Sequence, residues 1–408
     1  MTTVGLIGTL DTKGTEYRWL RDQLTAEGVR VLLIDAGPFS DSADADVSSA
    51  EVARAGGADL TALRERRDRG ETMTAMAAGA AAVATRLFAA GEIHALLAVG
   101  GSGGSSVAAP AMHALPVGVP KLLVSTMASG DVQPYVGEVD TTLMYSVVDV
   151  AGINPISRLV LGNAVAAVAA MAKRYVAAQV APPAETRPLV AVTMFGVTTP
   201  AADEARARLA ELGYETLVFH ATGAGGRAME KLVESGFLVG VCDLTTTELA
   251  DDLVGGVLSA GPHRLETAGR RGVPQVVSPG ALDMVNFGPR ETVPEQFAER
   301  TLFVHNPTVT LMRTTREEMA ELGRRVAVKL AAAQGPAEVF IPLRGVSAID
   351  VDGGPFRDAE ADAACFAALR DGLAGSAVVV HELDQAINDT GFGAALADAL
   401  HRLIKERA

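Results

Sequence analysis

Cysteine is scarce in this 408-residue chain: Cys242 and Cys365 are the only two. They form no CxxC or finger-type spacing, which excludes a disulfide framework and a cysteine-built metal finger. Both read as small apolar filler. Aromatic residues make up 4% of the chain, with a single tryptophan. Positive charge is in deficit, the formal net charge being −14, which argues against a general nucleic-acid-binding surface. Apolar stretches long and unbroken enough to span a bilayer are not evident, so no membrane partner is expected. The amino terminus has no basic start or cleavage site and reads as a first strand, giving the expectation of a cytoplasmic protein. The familiar signatures of chemistry are missing too. There is no GxxxxGK[ST], GTLDTKG (8–14) lacks the GxGxxG spacing, and there is no GxSxG elbow and no HxxxH or HxH pair.

What is abundant is small and apolar. Nearly half the residues are hydrophobic and 42 are glycine, a balance that suits parallel sheets buried on both faces under closely packed helices. Short apolar runs alternate with helical patterns. Strands are predicted over 4–8, 29–34, 93–99 and 121–125, and helices over 15–27, 71–90 and 156–178. Residues 179–188 hold Pro182, Pro183 and Pro188 and mark a boundary. Beyond it the pattern restarts with strands predicted at 189–195, 215–219, 238–242, 275–277, 302–305, 337–341 and 377–382. The opening of this half parallels residues 4–34 in order and spacing. The fold expected is α/β, with two Rossmann-like three-layer subdomains and largely parallel sheets, over 1–180 and 189–408. Residues 41–68 are polar and irregular and read as a surface excursion, with a lid as the alternative.

The most informative stretch is the glycine run 100–106, directly after the apolar run 93–99 and before a short helix predicted over 107–115. Glycines let backbone amides approach an anion, a helix N-terminus adds a favourable dipole, and serine hydroxyls donate further hydrogen bonds. Gly101, Ser102, Gly103, Gly104 and Ser105 are therefore candidate phosphate ligands. Thr9, Thr12, Lys13, Ser125 and Thr126 stand at neighbouring strand ends with donors suited to phosphate. Asp35, closing the second strand, is placed to accept from a ribose hydroxyl. Asp11 and Asp131 are available to a magnesium ion. Helix capping is the competing role for Asp11 and Thr12.

Polar runs in the second half also follow predicted strands. His220-Ala-Thr-Gly-Ala-Gly-Gly is a further anion-binding turn, Arg264 and Arg313 are candidate anchors for carboxylate or phosphate, and His220 and His305 are possible acid–base groups. Asp243 and Asp283 join the two histidines as the donors a metal reading would use. Thr245 to Thr247 with Glu248 resembles a capping box.

GTLDTKG, VGGSGGSS, LPVGVPKLLVSTMASGDV and YSVVDVAGIN, followed by HATGAGGRAMEKL, DLTTTELADDLVGG, SPGALDMVNFG and HNPTVTLMRTT, together cover nearly the whole chain. In these motifs the sequence resembles the ATP-binding domain family named after the tomato mosaic virus resistance protein. The resemblance implies two Rossmann-like subdomains, ATP held by the first, and a homodimer. Carried over by motif, Thr9, Asp11, Thr12, Lys13, Gly101 to Ser105, Ser125 and Thr126 are the nucleotide residues. Ser105 stands where the family is expected to have threonine, with the hydroxyl kept. The plant member's binding of a viral replication protein is not carried over.

The expected activity is that of an ATP-dependent enzyme, ligase-like or kinase-like, acting on a small anionic metabolite between the domains. His305, His220, Asp243, Arg313 and Arg264 are the catalytic candidates. A nucleotide-responsive binding or regulatory dimer without turnover is the alternative, and a metal-dependent hydrolase of a phosphorylated compound ranks last.

Overall fold

The computed structural model describes residues 1–180 and 187–407, so Pro182 and Pro183 of the boundary lie outside the described residues. The chain divides into two compact units, Met1–Ala184 and Glu185–Ala408.

The first unit is built on five parallel strands: β1 (Thr3–Gly8), β2 (Arg30–Asp35), β3 (Ala95–Gly100), β4 (Lys121–Ser125) and β5 (Thr142–Tyr145), in the order β2-β1-β3-β4-β5. Its helices are α1 (Leu10–Ala26), α2 (Ser49–Ala55), α3 (Leu60–Arg66), α4 (Arg69–Ala89), α5 (Ser102–Ala114), α6 (Gln133–Val136) and α7 (Pro155–Val180). Alternate residues of the central strands serve opposite faces, as the twofold period of a strand requires. Val4, Leu6, Leu97 and Val99 pack with Leu20 and Leu24 of α1 and Leu161 and Val165 of α7. Ile7, Leu96 and Ala98 pack with α2, α4 and α5.

Two helices, α4 and α7, are long and apolar enough by length and composition to cross a membrane. Their buried residues, among them Met76, Val83 and Leu87 on α4 and Val168 and Ala172 on α7, belong to these same two cores. Core packing accounts for the buried part of their apolar composition.

Residues 41–68 are not the loose excursion expected from their polarity. Ser48 accepts from the Glu51 amide at 3.3 Å to start α2, and Asp59 accepts from Ala62 at 2.9 Å to start α3. Val47, Val52, Ala53, Leu60 and Leu63 enter the core. Helices of seven residues carry too few apolar positions to show a period in sequence.

The second unit repeats the layout. Strands β6 (Leu189–Met194), β7 (Glu215–His220), β8 (Leu238–Thr245), β9 (Gln275–Gly280), β13 (Ala337–Pro342) and β14 (Val379–Leu383) form a parallel sheet ordered β7-β6-β8-β9-β13-β14. Its helices are α8 (Thr199–Glu211), α9 (Ala224–Glu234), α10 (Glu248–Val254), α11 (Thr267–Arg270), α12 (Arg316–Ala331), α13 (Ala359–Leu373) and α14 (Phe392–Arg407). The two free cysteines are buried here, and desolvation pushes both thiols up, that of Cys365 to about 12. Three strands depart from the expected pattern: β10 (Met284–Phe287), β11 (Leu302–Asn306) and β12 (Val309–Arg313) form a separate antiparallel sheet ordered β10-β12-β11. The strand predicted at 302–305 is thus one arm of a hairpin, and His305 does not stand at the end of a parallel strand.

Candidate functional site

In both parallel sheets the chain runs outward in one direction after the first strand and in the other after the second. The crevice where the order reverses, beyond the carboxyl ends of β1 and β3, is where open α/β sheets collect ligands. A pocket of about 820 Å³ opens there. One wall is the start of α1, with Thr9, Asp11, Thr12 and Lys13; another is Gly100 to Gly104.

The glycine run is itself the first turn of α5 rather than a loop before it. Gly101 is the N-cap, and the first intrahelical bond runs from the Ser105 amide to the Gly101 carbonyl at 2.9 Å. The amides of Ser102, Gly103 and Gly104 consequently have no partner in their own helix. Thr9 stands at the N-cap of α1, its hydroxyl 3.0 Å from that of Thr12, but there the first amide, Leu10, already donates to Asp35 at 3.3 Å. Two helix N-termini, each carrying partial positive charge, face one pocket.

The remaining wall comes from residues that carry no motif in the sequence. Pro38, Phe39, Arg64, Arg67, Asp68, Arg69, Thr72 and Met73 all line the pocket. The signal is four arginines within residues 64–69, three of them in the stretch read as a surface excursion. Arg64 is tied down, donating to the carbonyls of Pro38 at 2.7 Å and Ser40 at 2.9 Å and pairing with Asp41. Arg67 and Arg69 have no side-chain partner among the described residues. Phe39 is 64% exposed although it lines a pocket, which leaves a bare aromatic face. Lys13, where α1 kinks, donates to the Val150 carbonyl, and the neighbouring Asp149 also lines the pocket.

Not every candidate of the first half converges. Asp35 is buried and turned inward, accepting from the amides of Gly37 at 2.9 Å and Leu10 at 3.3 Å. Burial pushes its carboxyl above the usual range, against those hydrogen bonds and one from Ser40. Ser105 and Ser125 are fully buried and bond each other at 2.7 Å beneath the glycine turn. Thr126 is half-buried beside Gly101. Asp131 caps the Gln133 amide at 3.1 Å and is not among the lining residues, so it is not joined with Asp11. One oxygen of Asp11 accepts from the Phe39 amide at 3.0 Å. Among the described residues no group of three or more His, Cys, Asp or Glu side chains is arranged to hold a metal ion.

In the second unit the equivalent crevice, between β6 and β8, is filled. Arg264 is fully buried and donates to both oxygens of Asp243 at 2.5 and 2.6 Å and to Glu248 at 2.6 Å. Burial opposes its charge most strongly, but the carboxylates of Asp243 and Glu248 hold its pKa well above the usual value. The expected anion turn exists and is occupied from within: Glu248 accepts from the amides of Gly223 at 2.6 Å and Gly226 at 3.1 Å. A Cβ at position 226 would lie 2.2 Å from that carboxylate. Glu248 therefore closes no capping box, and Thr245, Thr246 and Thr247 instead bond Thr198, Ser278 and Met284.

Arg313 is buried as well, donating to the Phe356 carbonyl and to Asp362, both at 2.7 Å. Arg264 and Arg313 are both saturated by the protein itself. His220 and His305 are exposed on different strands, β7 and β11. Asp283 is fully buried, accepts from the Ser347 hydroxyl at 2.8 Å, and is pushed by burial to about 6.

Fold and site define a protein of two doubly wound α/β units, the first with an open pocket at its switch point lined by Lys13 and three arginines together with Asp11, Asp68 and Asp149. The chain belongs to the uncharacterised protein family UPF0261: the family's N-terminal domain matches residues 2–177 and its C-terminal domain residues 187–404. A UPF0261 protein of Clostridium tetani is 48% identical over 403 residues, covering 98% of each chain. One from Mesorhizobium japonicum is 44% identical over 400 residues, or 97% of this chain and 98% of the relative. The ToMV resistance protein Tm-1(GCR237) of Solanum lycopersicum is 45% identical over 306 residues, which span 74% of this chain and 41% of the tomato protein. Among solved structures, the glycosyltransferase SnogD from Streptomyces nogalater aligns over 98% of this chain and 99% of its own at 13% identity and a TM-score of 0.21, too slight a likeness to carry an argument.

Proposed function

We propose that the first unit binds ATP in the β1/β3 crevice. The observation that carries this reading is the convergence of the uncapped N-terminus of α5 with the unpartnered guanidinium groups of Arg67 and Arg69 around one pocket that the start of α1 also lines. Free amides and free cations at one place suit a phosphate chain. Ser102 to Gly104 supply amides, and a Cβ at position 103 would stand 3.8 Å from the Arg69 guanidinium, so Arg69 closes over that turn. Phe39, Pro38 and Met73 offer an apolar face for a flat base, which aromatic stacking would hold. Asp35 faces away and takes no part in holding the ribose.

Magnesium would travel with the phosphates, since Asp11 and Asp131 do not form a shared site. The saturation of Arg264 and Arg313 removes the anchors foreseen for an anionic substrate. This favours a second reading, in which the nucleotide acts as a regulatory ligand and is not consumed. Titrating ATP, ADP and adenosine into the full chain with magnesium tests binding. The reading expects affinity to fall in that order and to drop about tenfold for ATP in Arg69→Ala, a loss of about 1.4 kcal/mol. Absence of ATP binding, or equal affinity for ATP and adenosine, overturns it. Following ADP, AMP and phosphate with and without a metabolite extract then separates turnover from binding alone.

A further inference from the structure

We infer that Tyr17 is a positioning residue that holds the β1/β3 crevice open, so that the free amides at the start of α5 stand clear of β1. Tyr17 is among the largest fully buried side chains, and its ring lies over Gly8, where a Cβ would come 1.9 Å from it. Its hydroxyl is 2.7 Å from the Ile7 carbonyl and 2.8 Å from the Val99 carbonyl, and it accepts from the Val99 amide at 2.9 Å. One oxygen therefore bridges the ends of two adjacent strands.

The pairing registers show what this does. β1 pairs with β3 from Val4 opposite Ala95 to Ile7 opposite Ala98, and stops. On its other side β1 continues along β2 to Gly8 opposite Asp35, and β3 continues along β4 to Gly100 opposite Ser125. The strands part only at the edge where the phenol sits. In a parallel ladder the Val99 carbonyl would go on to the next rung of β1, but here the phenol stands between them, its one proton directed to either the Val99 or the Ile7 carbonyl. Two residues further along each chain stand Thr9 and Gly101, on opposite walls of the pocket. Burial pushes the phenol far above its usual range, so it remains a protonated donor. This geometry stands without a ligand; that the opening serves a nucleotide rests on the reading above.

The test is Tyr17→Phe, which removes one oxygen and keeps the ring against Gly8. In a ligand-free crystal structure of this variant, β1 and β3 are expected to pair beyond Ala98 and the pocket to shrink. ATP is expected to bind about tenfold more weakly while adenosine is unaffected, because only the phosphate cradle moves. Placing 4-aminophenylalanine at position 17, which restores a donor of similar reach, is expected to restore ATP affinity. A variant structure with pairing still ending at Ala98 and an unaltered pocket overturns the inference, whatever the nucleotide result. Equal weakening of ATP and adenosine also overturns it, as the signature of a merely structural loss. A narrowed crevice in a protein whose wild type binds no ATP supports the spacer and overturns the nucleotide reading instead.

Discussion

The two switch points of this chain share a strand order and differ in what occupies them. Beyond β1 and β3 the side chains at the crevice floor are glycine, serine and threonine, and the α5 amides face open space. Beyond β6 and β8, Arg264, Asp243 and Glu248 fold inward, and a carboxylate of the chain sits on the amides of Gly223 and Gly226. Sheet topology offers a seat for a ligand; the side chains decide whether it is vacant.

This contrast can be broken most violently at Arg264. Arg264→Met strands two buried carboxylates, Asp243 and Glu248, and is expected to cost the second unit roughly 3–5 kcal/mol, read as a lowered urea midpoint. Nucleotide affinity should stay within twofold. A variant as stable as the wild type would show that the network is not what holds the crevice shut.

Glu248→Gly empties the internal seat. Removing the acceptor is expected to cost about 1–3 kcal/mol, with part of the loss recovered by added acetate, a carboxylate that can take the vacated amides. No recovery would mean that the turn needs its own side chain rather than any carboxylate.

In the open crevice, Gly103→Val adds bulk beside Arg69 and Met73 on the first turn of α5. ATP affinity should fall at least tenfold, about 1.4 kcal/mol, with the urea midpoint little changed. Unchanged affinity would move the phosphates elsewhere.

The last contrast is a slope in pH. Burial pushes Asp251 and Asp362 to about 7, and Asp283 and Asp350 to about 6. Folding thus favours their protonated forms, while the unfolded chain ionises near pH 4. Stability of the second unit is expected to fall as pH rises from about 4 to about 7 and then to level off. Denaturant midpoints across that range check this, and Asp251→Asn should flatten the curve.

Much of this was legible in sequence. Strand β4 was placed residue for residue, and the two doubly wound halves follow from short apolar runs that only parallel sheets bury. The glycine run and Thr9 to Lys13 were readable because small residues at a strand end have few other uses. The arginine wall was not, because α2 and α3 are too short to show a period and their charges resemble a solvated surface. Arg264 and Arg313 misled for a related reason. A sequence displays a cation but conceals the carboxylates that distant segments bring to it, such as Asp362, forty-nine residues from Arg313. The hairpin of β11 and β12 was hidden likewise, since an apolar run of five residues does not reveal the direction of its neighbour.

Glu248 has a practical consequence for anyone screening compounds against this protein. The second crevice carries its ligand covalently, at a concentration that no titration can raise, so an added anion has nothing to fill there. The first has no such resident, and a compound binding only its folded form at a hundred times its Kd adds about 2.7 kcal/mol of stability. Compounds suited to these crevices should therefore act on stability through the first unit.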